Sequence, residues 1–137
     1  MIFVSREGQW VPPLGDYLGD LTSEIPADDY ITEFVSAGPK SYGFKNSKGK
    51  AFLKIKGITL NTANCEKINF DSLKDLVFAH VSDREACPPR EIVVQQPGIV
   101  RNKAKWTLET KTLKKTQKVV YDKRVISGGY NTLPYGF

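Results

Sequence analysis

Cysteine and histidine are nearly absent from these 137 residues: Cys65, Cys87 and His80 are the whole supply. Two cysteines are too few for a disulfide framework, and a single histidine leaves no zinc-finger spacing. No apolar run approaches the roughly 20 residues that a membrane-crossing helix needs, so no membrane partner is expected. Met1-Ile2-Phe3-Val4-Ser5 has no basic region or extended apolar stretch and does not read as a signal peptide. Neither a Gly-x-x-x-x-Gly-Lys phosphate loop nor a Gly-x-Gly-x-x-Gly turn is present, and there is no internal repeat or low-complexity segment. A reducing intracellular compartment, nucleus or cytoplasm, is the default expectation.

Acid is missing where base is densest. Positions 40 to 56 hold Lys40, Lys45, Lys48, Lys50, Lys54 and Lys56 with no aspartate or glutamate. The whole chain carries a net charge of +5, but the distribution is uneven. Residues 1–37 have one base, Arg6, against seven acids, whereas the remainder has nineteen bases and eight acids. An acidic head and a basic body imply that one part of the surface meets phosphate and another does not. A hydrophobic content of 40% and a charged content of 26% are ordinary for a folded domain of this length.

Periodicity gives a coarse map. Residues 1 to 5 read as a buried strand ended by Arg6-Glu7-Gly8. Leu14, Leu18 and Leu21 suggest a short irregular helix before Pro26. Asp29 to Ala37 alternates as a strand through Tyr30, Thr32, Phe34 and Ser36. The lysine-rich segment after Gly38-Pro39 reads as a hairpin around Asn46-Ser47-Lys48-Gly49. Leu73, Leu76, Val77 and His80 recur at helical spacing behind a cap at Asn69 or Asp71, and Cys87-Pro88-Pro89 closes the segment beyond that helix. Glu91 to Val100 and Trp106 to Ile126 read as antiparallel strands, with Gln95/Gln96-Pro97-Gly98 and Lys114-Lys115-Thr116-Gln117 as turn candidates, ahead of a turn-rich extended tail. The expected class is α+β with mostly antiparallel pairing.

Candidates for chemistry are few. His80 on an apolar helix face is expected to be a satisfied, partly buried histidine rather than a general base. Asp16 and Asp20, four apart, would share a helical face. Without a third ligand they read as solvated acids rather than a metal site. Cys65 and Cys87 read as small hydrophobes. The basic hairpin offers more, because Tyr42, Phe44 and Phe52 interleave its lysines as a nucleic-acid strand would require. The competing interpretation is a solvated sheet edge whose lysines block aggregation.

Three blocks in order resemble the C-terminal part of protein-primed family B DNA polymerases, the enzymes of adenoviruses, tailed phages, linear plasmids and Maverick-type mobile elements. They are Val11-Pro12-Pro13-Leu14-Gly15-Asp16-Tyr17-Leu18-Gly19-Asp20-Leu21, Phe34-Val35-Ser36-Ala37-Gly38-Pro39-Lys40-Ser41-Tyr42 and Lys54-Ile55-Lys56-Gly57-Ile58-Thr59-Leu60-Asn61. Val120-Tyr121-Asp122-Lys123-Arg124 and Thr132-Leu133-Pro134-Tyr135-Gly136 extend the similarity to essentially the whole chain. Lys40-Ser41-Tyr42 matches the family's Lys-x-Tyr motif, which contacts the primer strand.

The resemblance implies a DNA-directed DNA polymerase (a nucleotidyltransferase of DNA replication) with residues 1–62 as the end of the palm and 63–137 as a thumb of helix plus β-hairpin. Primer-template DNA, a deoxynucleoside triphosphate and a terminal priming protein are the implied partners of the full-length enzyme. Its two magnesium ions would sit roughly 4 Å apart on aspartates of a Tyr-x-Asp-Thr-Asp motif. That motif would precede the strand matching Ile2-Phe3-Val4, so this chain is expected to be a fragment, inactive alone, with no catalytic or metal-holding residue of its own. The implied DNA contacts are Lys40, Tyr42, Lys45, Lys54 and Lys56 in the palm part and Lys103, Lys105, Lys114 and Lys115 in the thumb part. Lys54 and Lys56, two apart on a strand, would project to one face. The alternatives are a stand-alone, non-catalytic nucleic-acid-binding module and an interaction domain whose basic face meets an acidic protein.

Overall fold

A computed structural model describes residues 2–4, 6–82, 91–120, 124–127 and 131–134. The elements are β1 (Ile31–Gly38), β2 (Ser41–Asn46), β3 (Ala51–Lys54), α1 (Thr62–Lys67), α2 (Phe70–Val81), β4 (Glu91–Asn102), β5 (Thr107–Lys118), β6 (Arg124–Ile126) and β7 (Thr132–Pro134). Three sheets result: a meander β1-β2-β3, a ribbon β4-β5 and a short pair β6-β7, every pairing antiparallel. The class is α+β with mostly antiparallel strands.

Residues 1–30 and 31–137 form two compact units. The first has almost no interior. Ile2, Phe3 and Val4 form no strand and are exposed, which corrects the buried strand expected there. An apolar run this short buries itself only against a partner strand. The expected helix around Leu14 to Leu21 is also replaced, by turns and a single bridge between Leu14 and Leu21. Asp20 accepts the Tyr17 backbone N–H at 3.0 Å and closes that turn, so Asp16 and Asp20 share no helical face. Gly15 and Gly19 favour turn over helix here by about 1 kcal/mol each.

In the second unit one face of the meander receives α2. Val35 and Ala37 of β1, then Ile55 and Ile58, pack with Ile68, with Phe70, Leu73, Leu76 and Val77 of α2, and with Val94 of β4. Residues on both sides of position 62 therefore share one core. Asn69 caps α2 as expected: its side chain accepts from Ser72 N–H at 2.9 Å, while Ser72 Oγ accepts from Asn69 N–H. Gly43 lets α2 come close, because a Cβ there would lie 3.2 Å from the Phe70 ring and 2.9 Å from Leu53. His80 falls on the exposed side of α2, not among its buried residues. Helix α1 has no clear periodic signal. It is fixed by its Asn61 cap and by Asn64, which is buried and donates to the Thr59 carbonyl at 2.8 Å. Cys65 on α1 is exposed, which corrects its assignment as a small hydrophobe. Cys87 and the Pro88-Pro89 stop lie outside the described residues, as do 121–123, 128–130 and 135–137.

The ribbon corrects both turn candidates. Pro97-Gly98 lies inside β4 and Lys114 to Gln117 inside β5, paired throughout in unbroken register. Each strand of a two-stranded ribbon keeps one unpaired edge, where proline's missing N–H removes no ladder bond. The reversal occurs instead at Lys103 to Trp106. There the Asn102 side chain accepts from the Ala104 and Lys105 N–H groups at 3.1 Å each.

Candidate nucleic-acid interface

The alternation of β1, β2 and β3 sorts their side chains onto two faces. Toward α2 lie Glu33, Val35, Gly43, Lys45 and Leu53. On the opposite, solvent face lie Phe34, Ser36, Tyr42, Phe44, Phe52 and Lys54, as the pairings Phe34↔Phe44↔Phe52 and Ser36↔Tyr42↔Lys54 require. Phe44 and Phe52 stack with centroids 4.8 Å apart, and Phe34 meets Tyr42 at 6.1 Å. The Lys50 ammonium stands 5.1 Å from the Phe52 ring centre. Four aromatic rings rimmed by lysines, with no carboxylate from these strands on that face, make a surface suited to a polyanion carrying flat bases. Phe34 is a member of this face that sequence reasoning did not count as one, although its place in the alternation of β1 carried the signal.

Cations gather at one end of this sheet. Lys40 is exposed in the β1–β2 turn, where φ is +61°. Pro39 before it and the positive φ at Lys40 fit a type II turn, whose third position normally takes glycine or asparagine. Tyr42 lies two residues on, directly across from Lys54. Lys56 lies past the end of β3 in a turn with Gly57 at φ +75°, so it does not share a strand with Lys54 as expected. It reaches the same end of the sheet by another route: its backbone N–H donates to the buried Ser41 hydroxyl at 3.2 Å. A cleft of about 330 Å³ opens here, lined by Gly38, Pro39, Ser41 and Lys56 on one side and Thr116 and Lys118 of β5 on the other. Lys40, Tyr42, Lys54 and Lys56 are thus brought together, and Lys118 joins Lys56 in lining the cleft.

Lys45 stands apart from this group. It points to the other face, where its ammonium bonds the Asp71 carboxylate at 2.7 Å and covers the Phe70 ring at 4.7 Å. Lys74 of α2 pairs with Glu33 in the same layer. The Lys74 hydrogen bond holds the Glu33 carboxyl below its ordinary 4.5, and the bond to Glu33 raises the Lys74 ammonium above 10.5. These two lysines bind the sheet to its helix. Lys103 and Lys105 occupy the tip of the β4-β5 ribbon, while Lys114 and Lys115 sit midway on opposite faces, Lys115 opposite buried Val94.

Among the described residues no three His, Cys, Asp or Glu side chains gather closely enough to hold a metal ion. Likewise, no helix among them is long and apolar enough to cross a membrane. No family model, curated protein or solved structure matches the chain.

Proposed function

We propose that this chain is the end-of-palm and thumb portion of a protein-primed family B DNA polymerase, and that it holds primer-template DNA during templated synthesis. The observation that carries the proposal is the arrangement at the Lys-x-Tyr motif. Lys40 projects from a tight turn, Tyr42 lies on the aromatic face beside Lys54, and Lys56 and Lys118 line the adjoining cleft. In this reading the lysines take backbone phosphates, which fixes register without reading sequence, and Tyr42 packs against a sugar or base at the primer end. Lys45 is left out, because its ammonium is already committed to Asp71.

Binding of primer-template DNA across a salt series tests the proposal. Four phosphate-bound lysines correspond to a slope of about −3.6 in log K against log[salt], and Lys40→Ala or Lys54→Ala should each make it shallower by about 0.9. No binding at low salt, or binding indifferent to both substitutions, would overturn it. A second reading, a stand-alone module for an unpaired strand, is favoured by the four aromatic rings on the same face. Tighter binding of a single strand than of primer-template would select that reading.

A further inference from the structure

Among the described residues, the outer half of the ribbon contributes nothing to the core cluster. Gln96 ties the ribbon to the segment before α1: its side chain accepts from Thr59 N–H at 2.9 Å and donates to the Gly57 carbonyl at 3.4 Å. From there to Asn102 the strands run six more residues, an arm of about 20 Å. Register places Ile99, Arg101 and Leu108 on one face of that arm, and Trp106 closes the turn beside them. Trp106 is 79% exposed, Ile99 76% and Leu108 73%. The Arg101 guanidinium lies 5.2 Å from the centre of the Trp106 ring.

Nothing in the turn asks for tryptophan. Its φ is +53°, a conformation that costs a bulky L-residue about 1 kcal/mol or more and that glycine or asparagine would adopt with less strain. The residue stays 79% exposed, with the Arg101 guanidinium as the group standing over its ring. Lys103 and Lys105 flank it in the loop, both exposed. The nearest strand carboxylate, Glu109, belongs to the other face, where Asn102 donates to it at 2.7 Å and Lys111 lies 3.6 Å away.

We propose that the ribbon tip is a stacking site for one unpaired nucleic-acid base, with Trp106 sandwiched between Arg101 and the base, and Lys103 and Lys105 holding the adjoining phosphates. An indole backed by a cation and flanked by two more suits a flat base attached to anions. A base still stacked in a duplex cannot offer its face, so the site selects unpaired or splayed nucleotides. A second copy of this chain is a poor occupant, because the same three cations would repel it. The proposal shares with the proposed function only that the ligand is nucleic acid.

Trp10 and Trp106 are the two tryptophans, so a Trp10→Phe protein reports on Trp106 alone. Titration with oligothymidylate should quench its emission saturably, and a blunt duplex of the same length should quench it far less. In the otherwise wild-type chain, Trp106→Leu should weaken oligothymidylate about tenfold while changing duplex affinity less than twofold. Lys103→Ala with Lys105→Ala, which leaves the ring in place, should weaken the quenching titration and flatten its salt dependence. Salt-dependent binding without quenching, or with no effect of Trp106→Leu, would overturn the tip site while sparing the proposed function. Absence of any nucleic-acid binding would overturn both.

Discussion

Lys40 and Trp106 are the only non-glycine residues with positive φ among those described, one at the end of the meander and the other at the tip of the ribbon. Their settings differ. Lys40 sits on a sheet end bolted to the core, with Ala37 buried beside it, the Ser41 hydroxyl holding the Lys56 backbone, and Val120 N–H donating to the Ala37 carbonyl at 2.8 Å. Trp106 sits on an arm whose outer residues join no core cluster. A cation on the first can define where a phosphate rests to within the rigidity of the core. A ring on the second can only capture what comes within the arm's sweep. Strain at a turn thus accompanies positioning in one place and reach in the other.

The comparison breaks most completely if the anchor of the sheet end is removed. Gly38 has φ +125°, and a Cβ there would stand 2.5 Å from the Val120 carbonyl oxygen. Gly38→Val should cost about 3 kcal/mol, since neither backbone can yield cheaply and the residue cannot adopt that φ. The urea midpoint should fall accordingly. Primer-template affinity should fall more than Trp106 quenching at temperatures where the variant is still folded. Equal losses at the two ends would mean that the arm depends on the same anchor.

Next in size is the effect on binding itself. Tyr42→Ala removes a ring from the solvent face and should weaken primer-template binding by about 1 kcal/mol or more, with little change in stability. Placed in a complete relative, Lys40→Ala and Tyr42→Ala should impair primer extension with the fold intact. Normal extension and normal DNA affinity together would end the assignment of Lys-x-Tyr to the primer strand. Trp106→Leu should leave extension of a recessed primer over a one-nucleotide template overhang unchanged, and a loss comparable to Tyr42→Ala would erase the distinction between the two ends.

How much of this was legible in the sequence depends on what fixes each element. The β1-β2-β3 meander and α2 were legible because two-residue alternation and three- to four-residue spacing are local signals, reinforced by Asn69 and the Asn46 to Gly49 turn. The gathering of Lys40, Tyr42 and Lys54 at one end is a product of the same alternation. The pairing of Lys45 with Asp71 is not legible in the sequence, because the two are twenty-six residues apart and no local pattern announces an ion pair across a sheet-helix interface. Pro97-Gly98 looked like a turn because those residues usually make one. Its place in β4 is set by tertiary context, where an unpaired ribbon edge tolerates the proline and the Leu113 side chain fills the space over Gly98. Helix α1 rests on the Asn61 cap and the Asn64–Thr59 bond, and the place of the arm on contacts distant in sequence, and periodicity reports neither.

A smaller change sharpens the comparison by separating strain from function. Lys40→Gly relieves a left-handed lysine at the cost of chain entropy, for a net gain of up to about 1 kcal/mol in stability. It should nevertheless weaken primer-template binding as Lys40→Ala does. Trp106→Gly should behave in parallel, stabilising the hairpin while abolishing oligothymidylate stacking. Thermal melts beside binding titrations supply both readouts. A lysine or tryptophan whose replacement by glycine lowers stability is serving the turn rather than a ligand.

The smallest expected effect concerns what holds the sheet to α2. Glu33 has its carboxyl lowered by Lys74, so its contribution is present above the ordinary 4.5 and is lost as pH falls through the depressed value. Lys74 is raised, so its contribution is present below 10.5 and is lost only as pH climbs through the raised value. Between those limits the pair should leave stability flat with pH. Both side chains are partly exposed, at 36% and 41%, so salt should weaken the effect. Glu33→Gln should therefore flatten the acid limb of the melting temperature below the ordinary 4.5 while leaving the neutral region and DNA binding almost unchanged. An acid limb identical to wild type would show that the pair adds nothing to the hold of α2 on the sheet. In that case the rigidity of the Lys40 end would rest on the apolar layer around Leu73 and Val35 and on the Ser41 and Val120 hydrogen bonds.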